Sequence, residues 1–315
     1  MTTFATVGII LAIVAVLLLA LTFGSIKIQG DSAASNQLKL RHPLELPTYV
    51  LAIALIPAAL VLGYALYSED IFIYAGLFIV FIACAREVQR RIVHGGAVAL
   101  SRRQFPEIYE VVDDFAQKLA LKRFPDVYVT TGNGVLNAFA TESWGKSYIV
   151  LHSELFSGQG DSIKEGLAYI IGHELGHIKL KHTSIFYTLP LVPWMLLSSL
   201  PWFGVFLGLP FNVLSRFREY SCDRVGAHLA PGGINGLLLL AAGRYVYEQV
   251  DLESFLEQAR SRETRGRWTG IAELFSTHPF VANRVRTLYN LGFFSDRHMG
   301  IGTRTAGDMW GHISG

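Results

Sequence analysis

Cysteine and charge are both scarce in this chain. Two cysteines in 315 residues, Cys84 and Cys222, cannot form a disulfide framework. Charged residues make up only 17% against 51% apolar ones, and the apolar excess is gathered into long blocks instead of being spread at core periodicity. That distribution calls for a membrane. The net charge of +2 gives no case for nucleic acid, because the basic residues are accounted for by membrane flanks and helix faces. There is no internal repeat.

The blocks themselves set the organisation. Met1 to Ile26 carries no charge at all, and its centre is almost wholly aliphatic, so a spanning helix is expected over 4–23. A cleaved signal would show a basic start and a small-residue exit site. Here the start is Met1-Thr2-Thr3-Phe4 and no clear site follows, which favours an anchor. A second span is expected over 47–68, with Pro57 inside it, and a third and shorter one over 71–85, the two joined by the acidic turn Glu69-Asp70. Residues 1–85 are therefore read as a membrane region of about three helices, and 86–315 as one further domain.

Thr183 to Ser215 is also uncharged, and prolines 190, 193, 201 and 210 interrupt it. As continuous helix it would reach about 50 Å, less than two crossings of a hydrocarbon layer about 30 Å thick. It is expected to form a membrane-associated hairpin, with two short segments or a re-entrant turn as the open alternatives and a soluble apolar lid as the competing reading. Arg86, Arg90, Arg91, Arg102 and Arg103 follow the third run, and Lys27, Lys39 and Arg41 sit between the first two. The positive-inside rule then puts the N-terminus outside and the 86–315 domain in the cytoplasm, on a cell inner or plasma membrane.

Chemistry is concentrated in His173-Glu174-Leu175-Gly176-His177. On a helix, two histidines four apart lie one turn above each other and can reach one metal ion, while Glu174 can take a proton from an attacking water. The segment from Asp161 to His182 has the apolar periodicity of a helix, with the motif in its middle. A continuation with Gly at 180 and His at 183 would mark a metzincin, but those positions are Leu180 and Thr183, and His182 falls one residue early. The third ligand is therefore sought downstream. A helix from Arg216 towards Ala230 places Glu219 and Asp223 one turn apart on one face, Glu219 as third ligand and Asp223 as the carboxylate that holds a ligand imidazole through its other nitrogen. Cys222 reads as a small buried cysteine in preference to a metal ligand, and His228 as structural.

With these residues in order, the sequence resembles the gluzincin membrane metallopeptidases, the family that contains the HtpX protease and the CAAX prenyl endoprotease. The resemblance rests on the histidine motif, on Glu219 with Asp223, on Asn137-Ala138-Phe139-Ala140, and on Thr277-His278-Pro279 followed by Arg284, and it covers about Val127 to Leu288. It implies an α+β, mainly helical zincin domain with a small sheet, interrupted at 183–215 by the apolar hairpin. It also implies that Asn137, Ala138 and Phe139 belong to an edge strand that pairs with substrate backbone, that His278 is a transition-state residue, and that Arg284 supports the site from behind the ligands.

The expected protein is an integral-membrane zinc endopeptidase holding one Zn2+ per chain, acting on membrane or misfolded polypeptides. A CAAX-type prenyl-peptide protease is the alternative within enzymes. A catalytically silent zinc-binding scaffold is the alternative of another class, against which Glu174 argues, since a purely structural site has no use for a base beside its ligand. No motif sets the substrate, the cleavage preference or the oligomeric state. The topology has a direct check: a cysteine placed at Asp70 is expected to react with an impermeant thiol reagent added to intact cells, and one placed at Arg103 is not. The reverse labelling pattern would put the 86–315 domain on the other face of the membrane.

Overall fold

The computed structural model describes residues 40–156, 161–196, 201–265 and 267–293. The first expected span, 4–23, and the glycine-rich end from Met299 lie outside the described residues. Two helices, α1 (Glu45–Tyr67) and α2 (Asp70–Gly96), are long and apolar enough to cross a membrane. They form the expected hairpin, in which Gly63 of α1 lies directly against the side chain of Ile71 in α2. On α2, Ile73, Leu77, Val80 and Phe81 are each 58–67% exposed. An apolar surface of that kind needs lipid or protein to cover it.

The third apolar run is much longer as a helix than its apolar letters suggest. At 27 residues, α2 reaches about 40 Å and continues past Ala85 into its charged end. Glu87 sustains that end by pairing with Arg90 at 2.8 Å and Arg91 at 2.7 Å, one turn away. The same end is bound to the rest of the fold. Ser143 donates to Glu87 at 2.8 Å, and Arg86 donates to the carbonyl of Thr183 at 3.0 Å.

A four-stranded sheet lies beside it, in the order β1 (Val98–Ala99), β2 (Asp126–Thr130), β4 (Lys146–His152), β3 (Ala138–Ser143). β2 and β4 are parallel, with Val127 opposite Ile149, and the outer pairs are antiparallel. Alternation along β4 divides its side chains between the two faces. Ile149 and Leu151 join α3 (Pro106–Lys118) and α4 (Asp161–Lys179) in the main core, whereas Tyr148 and Val150 pack towards Val93 of α2. The two-residue strand β1 is too short to show a period in the sequence. β3 lies at the sheet edge, with its register set by the tight turn at Trp144 and Gly145.

The helix carrying Glu219 begins earlier than its charged stretch suggests. α6 runs from Pro201 to Leu229, so the second half of the apolar insert and the Glu219 segment form one helix. The first half is a 3-10 segment over Ile185–Leu191 and the short α5 (Val192–Leu196). This insert packs on the apolar hairpin: Tyr187 and Leu214 meet Tyr49, Ile53 and Ile56 of α1, and Val192 meets Ala59 and Ile71. α7 (Asn235–Ala242) ends where Gly243 stands at φ 80, and a single 3-10 turn follows it. Then come α8 (Leu252–Arg265), α9 (Arg267–Leu274) and α10 (Val281–Asn290).

α4 and α6 cross at close range because glycine faces backbone on both sides. A Cβ on Gly226 would lie 3.0 Å from the Tyr169 carbonyl oxygen and 3.3 Å from the His173 nitrogen, and one on Gly176 would lie 3.3 Å from Cys222 Cα. Neither contact is with a flexible side-chain tip, so neither can yield without moving a helix. Gly226→Leu is therefore expected to lower stability by about 1–3 kcal/mol. Thermal unfolding in detergent measures the loss, and an unchanged midpoint would mean the crossing tolerates the added side chain.

Candidate metal centre and cleft

The crossing of α4 and α6 brings three donor atoms together. His173 and His177 stand one turn apart on α4, with their Nε2 atoms 3.2 Å from each other. Glu219, reaching across from α6, places Oε2 3.4 Å from His173 Nε2 and Oε1 3.4 Å from His177 Nε2. Tetrahedral coordination with metal–ligand bonds of about 2.0–2.1 Å has edges of about 3.3 Å, a length matched by the 3.2 Å between the two Nε2 atoms, while Glu219 approaches each imidazole with a different carboxylate oxygen. All three residues are well covered, as is Glu174, which is 7% exposed and lines the same cleft.

The electrostatics of the three donors favour a cation. Burial raises the pKa of a carboxylate, yet Glu219 lies well below the usual range because hydrogen bonds from His173, His177 and His278 outweigh that effect. Burial would likewise lower His173, but its bonds to Asp223 and Glu219 push it up to about 9. The charge density that holds this proton is what a metal ion would meet.

Behind the three candidate donors, Asp223 accepts from His173 Nδ1 at 2.9 Å. Arg284 from α10 grips Asp223 with two nitrogens, Nε at 2.9 Å and Nη2 at 2.6 Å, and its Nη1 lies 3.7 Å from Glu219. Burial opposes ionisation of Asp223, but Arg284 beside it holds the carboxyl down to about 2. Tyr169 adds a hydrogen bond to Asp223 at 2.8 Å. The sequence reading passes over Tyr169, although its position four residues before His173 puts it on the ligand face of α4.

His278 comes from the turn before α10, and its Nδ1 is 3.3 Å from Glu219 Oε2 while most of its side chain remains open to solvent. Its bond to Glu219 raises its pKa against the opposing effect of burial. Asn137, Ala138, Phe139 and Ala140 form the facing wall of a cavity of about 420 Å³, which also includes Thr183, Ser215 and Arg218. Ala138 to Ala140 of this wall belong to β3, which pairs only with β4 among the described residues, whereas Asn137, expected in the strand, lies just before it and accepts from the His152 backbone nitrogen at 3.0 Å. Every residue singled out from the sequence as ligand, base, wall or support thus lies at one place. Cys222 is fully buried, with its thiol pushed well above its ordinary value by burial, and His228 is outside the cavity lining.

The sequence profile of peptidase family M48 matches residues 102–291. Plastoglobule-localized metallopeptidase 48 of Arabidopsis thaliana is 29% identical over 176 residues, covering 53% of this chain and 49% of that protein. A protease HtpX homolog of Salinibacter ruber is 27% identical over 221 residues, covering 61% of this chain and 77% of the relative. One of Pelotomaculum thermopropionicum is 28% identical over 227 residues, covering 60% and 77%. The chain therefore spans about half the length of the plastid relative and about three quarters of the bacterial ones. No solved structure matches it.

Removing a donor tests the assembly. Purified Glu219→Ala and His177→Ala proteins are expected to lose bound metal, read by elemental analysis against protein concentration. Stoichiometric zinc in Glu219→Ala would remove Glu219 from the ligand set.

Proposed function

This chain belongs to peptidase family M48, and we propose that it is an integral-membrane zinc endopeptidase that hydrolyses membrane or misfolded polypeptides. The observation that carries this reading is the convergence of His173, His177 and Glu219 within 3.4 Å of one another, with Glu174 beside them in a cleft bounded by a strand that pairs only with β4 among the described residues. Its membrane setting is supported by α1 and α2 and by the likeness to HtpX homologs. The charge bias of the loops favours a cytoplasmic catalytic face.

In this reading His173, His177 and Glu219 hold the ion. A bound zinc supplies Lewis-acid polarisation of the scissile carbonyl and makes water a competent nucleophile near neutral pH. Glu174 takes the proton from the attacking water and returns it to the leaving amine, so one carboxylate serves both halves of the reaction. His278 donates to the oxygen that gains charge as the carbonyl carbon becomes tetrahedral, a contact stronger in the transition state than in the ground state. Pro279 restricts His278 to extended backbone, and Ser276 Oγ donates to its carbonyl at 2.6 Å, so the ring is presented from a fixed turn.

The outer edge of β3 supplies backbone groups to an extended substrate segment, which adds as a further strand. Pairing of that kind uses the peptide backbone and leaves side-chain choice to the walls, which suits a protease acting on varied, unfolded chains. Thr183 and Ser215 line the cleft at the two ends of the apolar insert, so a substrate leaving the bilayer meets the cleft without crossing an open soluble surface.

Glu174→Gln is expected to keep zinc and lose nearly all cleavage of a fluorogenic peptide. His278→Ala is expected to lower kcat by about a hundredfold with zinc content unchanged. Wild-type turnover in Glu174→Gln would overturn the assignment of the base, and wild-type turnover in His278→Ala would return that residue to a structural role.

A further inference from the structure

A hydrogen-bonded chain joins the first turn of α1 to the second histidine of the metal helix. Glu45 opens α1 with its side chain fully buried. Its Oε1 lies 3.0 Å from His182 Nε2, and His182 Nδ1 lies 3.2 Å from His177 Nδ1. Lys181, at φ 65, makes this possible, because a left-handed residue after the last turn of α4 folds His182 back towards His177. The hydroxyl of Ser221 on α6 donates to Glu45 Oε2 and accepts from the backbone nitrogen of His42 at 2.8 Å. Arg41 pairs with Glu45 and donates to the Leu180 carbonyl and, at 3.0 Å, to the Tyr187 hydroxyl.

Proton placement along this chain has one consistent direction. A carboxylate only accepts, and a neutral imidazole carries its proton on one nitrogen and a lone pair on the other. Glu45 therefore keeps the His182 proton on Nε2, which leaves a lone pair on Nδ1. That lone pair accepts from His177 only if the His177 proton is on Nδ1, and His177 Nε2 is then left unprotonated. Nε2 is the atom that stands 3.2 Å from His173 Nε2 and 3.4 Å from Glu219 Oε1.

The neighbours do not reverse this direction. Arg41 Nη1, at 3.4 Å from His182 Nε2, is a donor already engaged at shorter range by Glu45 and Tyr187. Cys222 Sγ, at 3.4 Å from His182 Nδ1, can add a weak S–H bond to the same lone pair.

We propose that Glu45 and His182 are positioning residues of the metal centre: Glu45, at the start of the apolar helix α1, sets through His182 the tautomer and ring orientation of His177, so metal affinity depends on how α1 docks against the metal helices. The two ligand imidazoles are then supported by two carboxylates, Asp223 acting directly on His173 and Glu45 acting on His177 through one relay. This rests on the reading of His177 as a ligand.

The test uses the full chain in detergent, stripped of metal and titrated with Zn2+ against a competing chromogenic chelator, and separately with Co2+ to record its visible absorption. Glu45→Gln offers an N–H that can turn the chain of donors round. His182→Leu removes the relay and leaves the Arg41–Glu45 pair in place, so it decides the matter if Glu45→Gln does not fold. Each variant is expected to bind Zn2+ about ten- to a hundredfold more weakly and to shift the Co2+ bands. The double variant should bind no more weakly than the weaker single one, because both changes act along one path.

Wild-type affinity in either folded variant, or losses that add in the double variant, would overturn the proposal. A sulfur-to-cobalt charge-transfer band in the wild type would overturn it as well, since it would make Cys222 and His182 ligands. His177→Ala separates the two levels. Retained metal there would overturn the ligand reading itself, while lost metal there beside wild-type affinity in the Glu45 and His182 variants would overturn only the coupling to α1.

Discussion

Buried negative charge is the constraint around which this protein is arranged. Glu45, Glu174, Glu219 and Asp223 are all withdrawn from water around one helix crossing, each at 7% exposure or less. An isolated carboxylate in such a place would take up a proton or unfold its surroundings, so each one needs a cation or a set of donors at contact distance. The partners come from separate parts of the chain. Arg284 arrives on α10 for Asp223, Arg41 arrives from the segment before α1 for Glu45, and the histidines of α4 face Glu219. A metal ion held by His173, His177 and Glu219 would complete the balance there, which is why a geometry that would burden a purely structural core suits a metallopeptidase.

The apolar hairpin and the peptidase fold are parts of one unit. The charged end of α2 covers one face of the sheet and bonds to β3 through Glu87 and Ser143, while the start of α1 reaches the underside of the metal helix. The apolar insert packs back on α1, and its part from Pro201 onward is the first half of the helix that carries Glu219. Because α6 includes Leu214, which packs on α1, the placement of the apolar helices and the placement of Glu219 are mechanically linked. This continuity also removes the boundary that the change from apolar to charged residues at Arg216 suggests, since a helix ends where its backbone bonds end and not where its composition changes.

Local spacing made much of the site legible. His173 and His177 at i and i+4, and Glu219 and Asp223 at i and i+4, each follow from the period of one helix, whereas the substrate-edge strand around Phe139 came from the family resemblance. Tyr169 is readable on the same principle, one turn before His173. The support from Glu45 has no such signal, because it meets His182 from 137 residues away and sits at the head of a helix whose other residues are apolar. The start of α6 and the short strand β1 escape for a related reason: an apolar insert has no period that separates helix from turn, and two residues have no period at all.

The amino-acid sequence by itself determined which side chains could act together within a single helix or strand, since helical and strand periods convert spacing into direction. It also determined that long uncharged blocks must be covered by something other than water, because their side chains gain nothing from hydration. Only the tertiary structure decided that α4 and α6 cross at their glycines, that Arg284 and His278 come within reach of Glu219, and that the hydrogen-bonded chain from Glu45 ends on His177. Those are distances between elements far apart in the chain, set by how apolar surfaces pack and how buried charges find partners.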